Sequence, residues 1–189
     1  MSQPRTVAVI VGSLRKDSVT RKVARAVEAL APPNLKFEEV PIGDLALYDQ
    51  DAEGDPPPAY AAFRERIRGA DAVLFATPEY NRSVPGALKN AIDVGSRPYG
   101  HSVWNGKPAA IVSVSPGALG AFGANHHLRQ SLVFLNMPTL QQPEAYVGNA
   151  FSLFDENGEL VNEATAEFLR GFAQTFADWI ELTSLAAAR

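Results

Sequence analysis

The sequence predicts an α/β fold: a parallel sheet covered by helices on both faces. Three observations predict it. Residues 7–11, 70–77 and 108–114 are nearly continuous apolar or β-branched runs, as strands buried on both faces of a parallel sheet require. Segments of helical periodicity alternate with these runs, and the connections are short. At 189 residues, 46% apolar and 20% charged, the chain suits a single domain over residues 1–189 with a sizeable core.

Each element follows in order. After the first strand, Val19, Val23, Val27 and Leu30 repeat at helical spacing while Arg21, Lys22, Arg25 and Glu28 point elsewhere, and Pro32-Pro33 ends the helix. A short strand is expected at 35–40, then a polar surface loop from Asp49 through Pro56-Pro57-Pro58. Residues 59–68 read as a helix, and 70–77 as a buried strand that stops before Pro78. A helix over 83–94 has Pro85 near its start, where a missing N–H costs little, and Leu88, Ala91 and Ile92 on one face. The strand at 108–114 leads into a glycine-bearing loop at 115–123, then a helix through His127 to Phe134 and a short strand within 139–147. Residues 162–182 carry Phe168, Leu169, Phe172, Phe176, Trp179 and Ile180 at helical spacing, a broad apolar face for the sheet. Five parallel strands in the flavodoxin-like order 2-1-3-4-5, a three-layer sandwich, suit this pattern and length. In such sheets ligands bind outside the carboxyl ends of the strands, where the loops after 7–11, 70–77 and 108–114 converge.

Composition narrows the function. A formal net charge of −4 argues against nucleic acid and anionic membranes as main partners. The absence of cysteine excludes disulfides, thiolate catalysis and cysteine-held metal centres. The N-terminal apolar run is too short for a signal peptide or a membrane span, so a cytoplasmic location is expected. No metal site is expected from His101, His126 and His127, because adjacent helical residues point about 100° apart and no carboxylate is suitably spaced. G-x-G-x-x-G, G-K-[ST] and G-x-S-x-G are all missing, which removes the main support for a dinucleotide-binding Rossmann domain, a P-loop NTPase and a serine hydrolase. No acidic pair follows the first strand, so a phosphoacceptor signalling domain is also excluded.

Two loops carry chemistry. Ser13, Arg15, Ser18 and Thr20 stand where the first free N–H groups of a helix favour a phosphate; Asp17 or Ser18 can equally cap that helix, with Arg15 a solvated charge. In the second loop Pro78 and Pro85 stiffen the ends of a segment that can offer main-chain groups to a planar ligand, with the Tyr80 ring for stacking. The bland alternative makes Asn81 and Ser83 a turn and a helix cap. Gly117, Gly120 and Gly123 read as a flexible loop bordering a ligand or a subunit interface.

Taken together, residues 12–18, 77–81 and 83–93, with Gly106-Lys107-Pro108 and His127-Leu128-Arg129-Gln130, resemble the NADPH-dependent FMN reductase family, which includes quinone, chromate and azo reductases of the flavodoxin-like fold. The resemblance implies that Ser13, Arg15, Ser18 and Thr20 hold the FMN phosphate, with Thr20 in place of an asparagine frequent in relatives. It implies contacts to the isoalloxazine ring from Pro78, Glu79, Tyr80 and Asn81, with Ser115 and Gly117 from the next loop. Arg82 completes the implied cofactor-binding set; close relatives often carry tyrosine there, a departure that bears on the electron-acceptor pocket and on partner-subunit contacts. The implied function is transfer of hydride from NADPH or NADH to bound FMN, then of electrons to quinones, flavins, azo compounds or chromate-like acceptors. No catalytic side chain is required, since the flavin carries the chemistry. A homodimer or homotetramer with FMN near the subunit interface is implied as well. The alternative is a flavodoxin-type electron carrier without NAD(P)H turnover, disfavoured by the slight charge excess and by the 78–81 loop.

Overall fold

The computed structural model describes residues 4–187. A five-stranded, all-parallel sheet in the order β2-β1-β3-β4-β5 forms the middle layer, built from β1 (Arg5–Val11), β2 (Leu35–Glu39), β3 (Ala72–Thr77), β4 (Ala109–Val114) and β5 (Ala145–Val147). Val9 of β1 stands beside Glu39 on one side and Leu74 on the other, so β1 and β3 lie at the centre with neighbours on both edges. Every residue of β3 and β4 is buried, which is why these segments read as unbroken apolar runs.

Alternation along the strands divides the core between two faces. Val7, Val9 and Val11 face α1 (Val19–Leu30) and α5 (Glu163–Ala187), packing with Val23, Val27, Phe172 and Phe176. Ala8 and Ile10 face the opposite layer, α2 (Pro58–Gly69), α3 (Gly86–Ser96) and α4 (Phe122–Phe134), with Phe63, Leu88, Trp104 and Leu128. At the parallel-sheet switch point the chain leaves β1 and β3 toward opposite layers, and in such sheets ligands bind at the carboxyl ends of those strands.

Several boundaries differ from the sequence expectation for local reasons. β3 starts at Ala72, because the Asp71 carboxylate accepts the Thr6 N–H at 2.8 Å and the Ala70 N–H closes α2 onto Ile67. The 49–58 loop contains a short 3₁₀ turn at Gln50–Gly54. Within 139–147 only Ala145–Val147 forms a strand, with Thr139 making an isolated bridge to Ala109; Pro143 lacks the N–H that a continuous ladder requires. The helix after β4 begins at Phe122, so Gly123 lies in helix rather than in a flexible loop. Of the aromatic stripe on α5, Phe172 and Phe176 are buried and Phe168 is exposed.

Candidate functional site

The first loop leaves β1 with the Gly12 N–H donating to the Ala76 carbonyl at 2.8 Å, and a Cβ on Gly12 would lie 3.4 Å from the Pro78 ring. The loops after β1 and β3 therefore lie side by side. Ser18 is the N-cap of α1, its hydroxyl oxygen accepting the Arg21 N–H at 3.2 Å. A hydroxyl that accepts in this way keeps its own proton for a second acceptor. Ser13 and Thr20 are only 3% and 2% exposed, yet neither hydroxyl has a hydrogen-bond partner among the described residues, and both oxygens still open to the outside. The N–H groups of Leu14, Arg15, Lys16 and Asp17 likewise find no acceptor among the described residues, and the Arg15 guanidinium is exposed without an ion pair. Donors thus accumulate around the start of α1.

Arg21, assigned by periodicity to the outer face of α1, holds this loop in shape. Its guanidinium donates to the Arg15 carbonyl at 3.1 Å and the Ser13 carbonyl at 3.4 Å, while its Nε pairs with Glu39 at 2.9 Å. The one legible signal was a basic residue in the first turn of a helix, where the macrodipole disfavours it.

In the second loop, Tyr80 and Ser83 exchange N–H···O bonds of 2.9 and 3.0 Å around a tight turn whose central residues, Asn81 and Arg82, both have positive φ (53° and 65°). These are the backbone values of a type I′ turn. The Asn81 and Arg82 N–H groups have no acceptor among the described residues, and the Tyr80 ring is 49% exposed. Ser83 does not cap α3, whose N-cap is Pro85; its hydroxyl lies 2.8 Å from His127 Nδ1 instead. Glu79 turns its carboxylate to α4, accepting the Ala124 N–H at 3.0 Å. Asn90, buried on α3, accepts from the Tyr48 N–H and donates to the Leu45 and Ala46 carbonyls, which ties the 45–48 loop to the same helix.

The third loop is ordered by its own hydrogen bonds. The Ser115 hydroxyl donates to the Gly117 carbonyl at 2.9 Å, and the Asn149 N–H reaches the same oxygen at 3.1 Å. Buried Ser113 donates to the Gly120 carbonyl at 2.7 Å and accepts from Asn125 of α4 at 3.2 Å. Beyond the loop, burial and then the neighbouring Glu144 push the Tyr146 phenol up to about 12. Among the described residues no group of three or more His, Asp or Glu is placed to hold a metal ion. A separate hollow of about 110 Å³ beside Tyr48, Tyr60 and Arg64 shares no residue with the three loops.

An anion seat at a helix start, a stiff turn with free N–H groups and a third loop converge at one sheet edge, and residues 5–152 match the family described as NADPH-dependent FMN reductase. The chain belongs to that family. It is 64% identical over 183 residues to a quinone reductase of Pseudomonas putida, covering 96% of this chain and 98% of that one. It is 47% identical over 174 residues to a 2-hydroxy-1,4-benzoquinone reductase of a Burkholderia species, covering 92% and 95%. Among solved structures it resembles the flavoenzyme NAD(P)H:(acceptor) oxidoreductase FerB of Paracoccus denitrificans, with a TM-score of 0.90, 45% identity and coverage of 95% and 98%. As an FMN reductase the chain uses FMN as cofactor and a reduced nicotinamide as co-substrate. The donor set fits the cofactor: its phosphate needs several hydrogen-bond donors, and the Ser13 and Thr20 hydroxyls and the 14–17 N–H groups supply ones unpaired among the described residues.

Proposed function

We propose that the chain is a single-domain, cytoplasmic NAD(P)H:quinone oxidoreductase. The net reaction takes NAD(P)H, a proton and a quinone to NAD(P)⁺ and a hydroquinone. When bound, FMN supplies hydride acceptance from the nicotinamide and electron delivery to the acceptor. The chain's own residues bind and orient. Ser13, Ser18 and Thr20 offer hydroxyl donors, Arg15 a guanidinium and residues 14–17 their N–H groups to the phosphate. Pro78, Tyr80 and the Asn81–Arg82 turn border the ring, where free N–H dipoles favour negative charge gained on reduction. Ser115 and Gly117 close the third side, and Arg82 stands at the acceptor entrance. The single observation that carries this reading is the pair of buried residues, Ser13 and Thr20, whose hydroxyls are unpartnered among the described residues beside a helix start.

Quinones are the favoured acceptors because the 64% and 47% identical relatives are named for them; free flavins, azo compounds and chromate are further acceptors of the proposal. A homodimer or homotetramer with FMN near the subunit interface completes it, consistent with exposed Val133 and Phe134 at the end of α4. The test is turnover of NADPH and NADH by purified protein against benzoquinone, 2-hydroxy-1,4-benzoquinone, an azo dye and chromate. Yellow protein that bleaches with reduced nicotinamide and recovers with quinone supports the reading. Colourless protein that takes up no added FMN overturns it.

A further inference from the structure

One contact ties the second loop to the helix that ends the third. α4 receives no side-chain cap from Ala121, its N-cap residue. Glu79, 45 positions earlier, supplies the acceptor instead: Oε2 takes the Ala124 N–H at 3.0 Å, where the positive end of the helix favours a carboxylate. The other oxygen, Oε1, pairs with Arg82 Nη1 at 3.0 Å. The Glu79 side chain is 14% exposed against 75% for Arg82, so the carboxylate sits in the joint and the guanidinium covers it. The joint leaves no room for a side chain at position 123, where a Cβ would fall 2.8 Å from Glu79 Oε2 and 3.1 Å from the Arg82 carbonyl oxygen. Further along α4, His127 meets Ser83 at the other end of the turn. The 80–83 turn is thus seated on α4 from both ends, and α4 is in turn joined to the third loop through Asn125, Ser113 and Gly120.

We propose that Glu79 is a positioning residue for the flavin-ring loop: its carboxylate, seated over Gly123, caps α4 and grips Arg82, and so fixes the left-handed Asn81–Arg82 turn. The proposal rests on the reading that residues 78–82 border the ring. Glu79 does its work away from the cofactor, by setting where two N–H dipoles stand. Because hydrogen-bond energy falls steeply with misalignment, a loosened turn changes both the affinity for FMN and its reduction potential.

The experiment measures FMN dissociation constants by fluorescence quenching on apoprotein, and midpoint potentials of the loaded protein, for wild type, Glu79→Gln, Glu79→Ala, Gly123→Ala and the Glu79→Ala/Gly123→Ala double variant. Glu79→Ala should weaken FMN binding about 10-fold, the scale of one charge-assisted bond, and move the potential. Glu79→Gln should fall between it and wild type, since the amide oxygen still accepts from Ala124 without the charge that holds Arg82. Gly123→Ala should match Glu79→Ala by pushing the carboxylate off its seat. The double variant should lose less than the product of the two single losses, because its methyl no longer meets a carboxylate and keeps only the 3.1 Å approach to the Arg82 carbonyl oxygen. Should Glu79→Ala fail to fold, Glu79→Gln and Gly123→Ala carry the test. A potential and an affinity that stay at wild-type values in the variants overturn the positioning role, even if thermal stability drops; so do single effects that multiply in the double variant. Wild-type protein that binds no FMN overturns the function reading and this inference together, whereas wild-type binding with indifferent variants overturns the inference alone.

Discussion

Replacing Arg21 by methionine keeps the apolar stem and removes the guanidinium that braces the phosphate loop. The Arg15 carbonyl bond at 3.1 Å is a charged hydrogen bond, worth about 1.5–3 kcal/mol. The Ser13 carbonyl contact is long at 3.4 Å and adds little, and the half-exposed Glu39 pair contributes about 0.2–1 kcal/mol. The total loss is therefore about 2–4 kcal/mol, divided between the fold and the ligand seat. If half of it appears in binding, FMN affinity falls about 5- to 30-fold. Titration of apoprotein with FMN reads this directly, and thermal unfolding with and without excess FMN reads it again, because a 10-fold weaker ligand stabilises by about 1.4 kcal/mol less. Arg21→Lys should recover only part of the loss, since one ammonium nitrogen cannot span the Arg15 and Ser13 carbonyls and the Glu39 carboxylate as the three separate nitrogens of the guanidinium do. If Arg21→Met lowers stability in the apoprotein but leaves the FMN dissociation constant unchanged, the bracing argument is wrong and Arg21 is a surface strut between α1 and β2.

On the proposed reading Arg15→Ala removes a charge-assisted bond to the phosphate worth about 1.5–3 kcal/mol and should weaken FMN retention about 10- to 100-fold with little change in apoprotein stability; equal retention on gel filtration contradicts the phosphate role. Gly95→Ala drives a Cβ into the fully buried Trp104 indole, whose Nε1 donates to the Ile92 carbonyl. Overpacking there should cost about 1–3 kcal/mol or more in urea unfolding, and a near-neutral variant would show that the packing of α3 on Trp104 is loose. Glu181 is held below its ordinary carboxyl range by its hydrogen bond from Arg5, which links β1 to α5. Since the folded-state value is the lower one, this contribution is present above the ordinary value and is lost as pH falls through the folded value. Glu181→Gln should cost about 0.2–1 kcal/mol at neutral pH and nothing in strong acid, and a stability gap that is the same at both pH values contradicts the assignment.

The buried strands were legible because a parallel sheet covered on both faces leaves no polar position: β3 and β4 have none that is exposed. β5 was legible as a short strand within 139–147 but not in its bounds, because a three-residue edge strand is defined by its pairing with β4 more than by its composition. The start of α4 was misplaced for a related reason. Sequence rules look for a cap next to the helix, whereas the acceptor that reaches Ala124 comes from Glu79 on another loop. Residue type nominated Ser13, Arg15, Ser18 and Thr20, but the same residue types suit a helix cap and a solvated charge, and Ser18 does cap α1. Periodicity, which reports only burial, sent Arg21 to the solvent side and had nothing to say about its bonds back to Ser13 and Arg15. Asn90 was read only as part of a family-like stretch; its role in holding Leu45, Ala46 and Tyr48 depends on contacts more than 40 positions away.

The two ends of the site are built differently, and that should divide the kinetic phenotypes. At the proposed phosphate end the donors are already free: the Ser13 and Thr20 hydroxyls open to the outside and are unpartnered among the described residues, and Arg21 braces their loop. A full anionic charge gains more from such donors than water does, so affinity is concentrated there. At the ring end the free N–H groups belong to a two-residue turn whose place depends on a joint with α4. Interactions that hold ground state and transition state alike change only occupancy, whereas those that strengthen as charge builds on the ring change the rate. Variants of Arg15, Ser18 or Arg21 should accordingly lower the amount of FMN retained while turnover per bound flavin stays near wild type. Variants of Glu79 or Gly123 should lower turnover per bound flavin even when FMN is saturating. Normalising kcat to bound FMN for both groups separates the two ends, and a uniform loss of turnover per flavin across them would mean that the site acts as one unit with no such division.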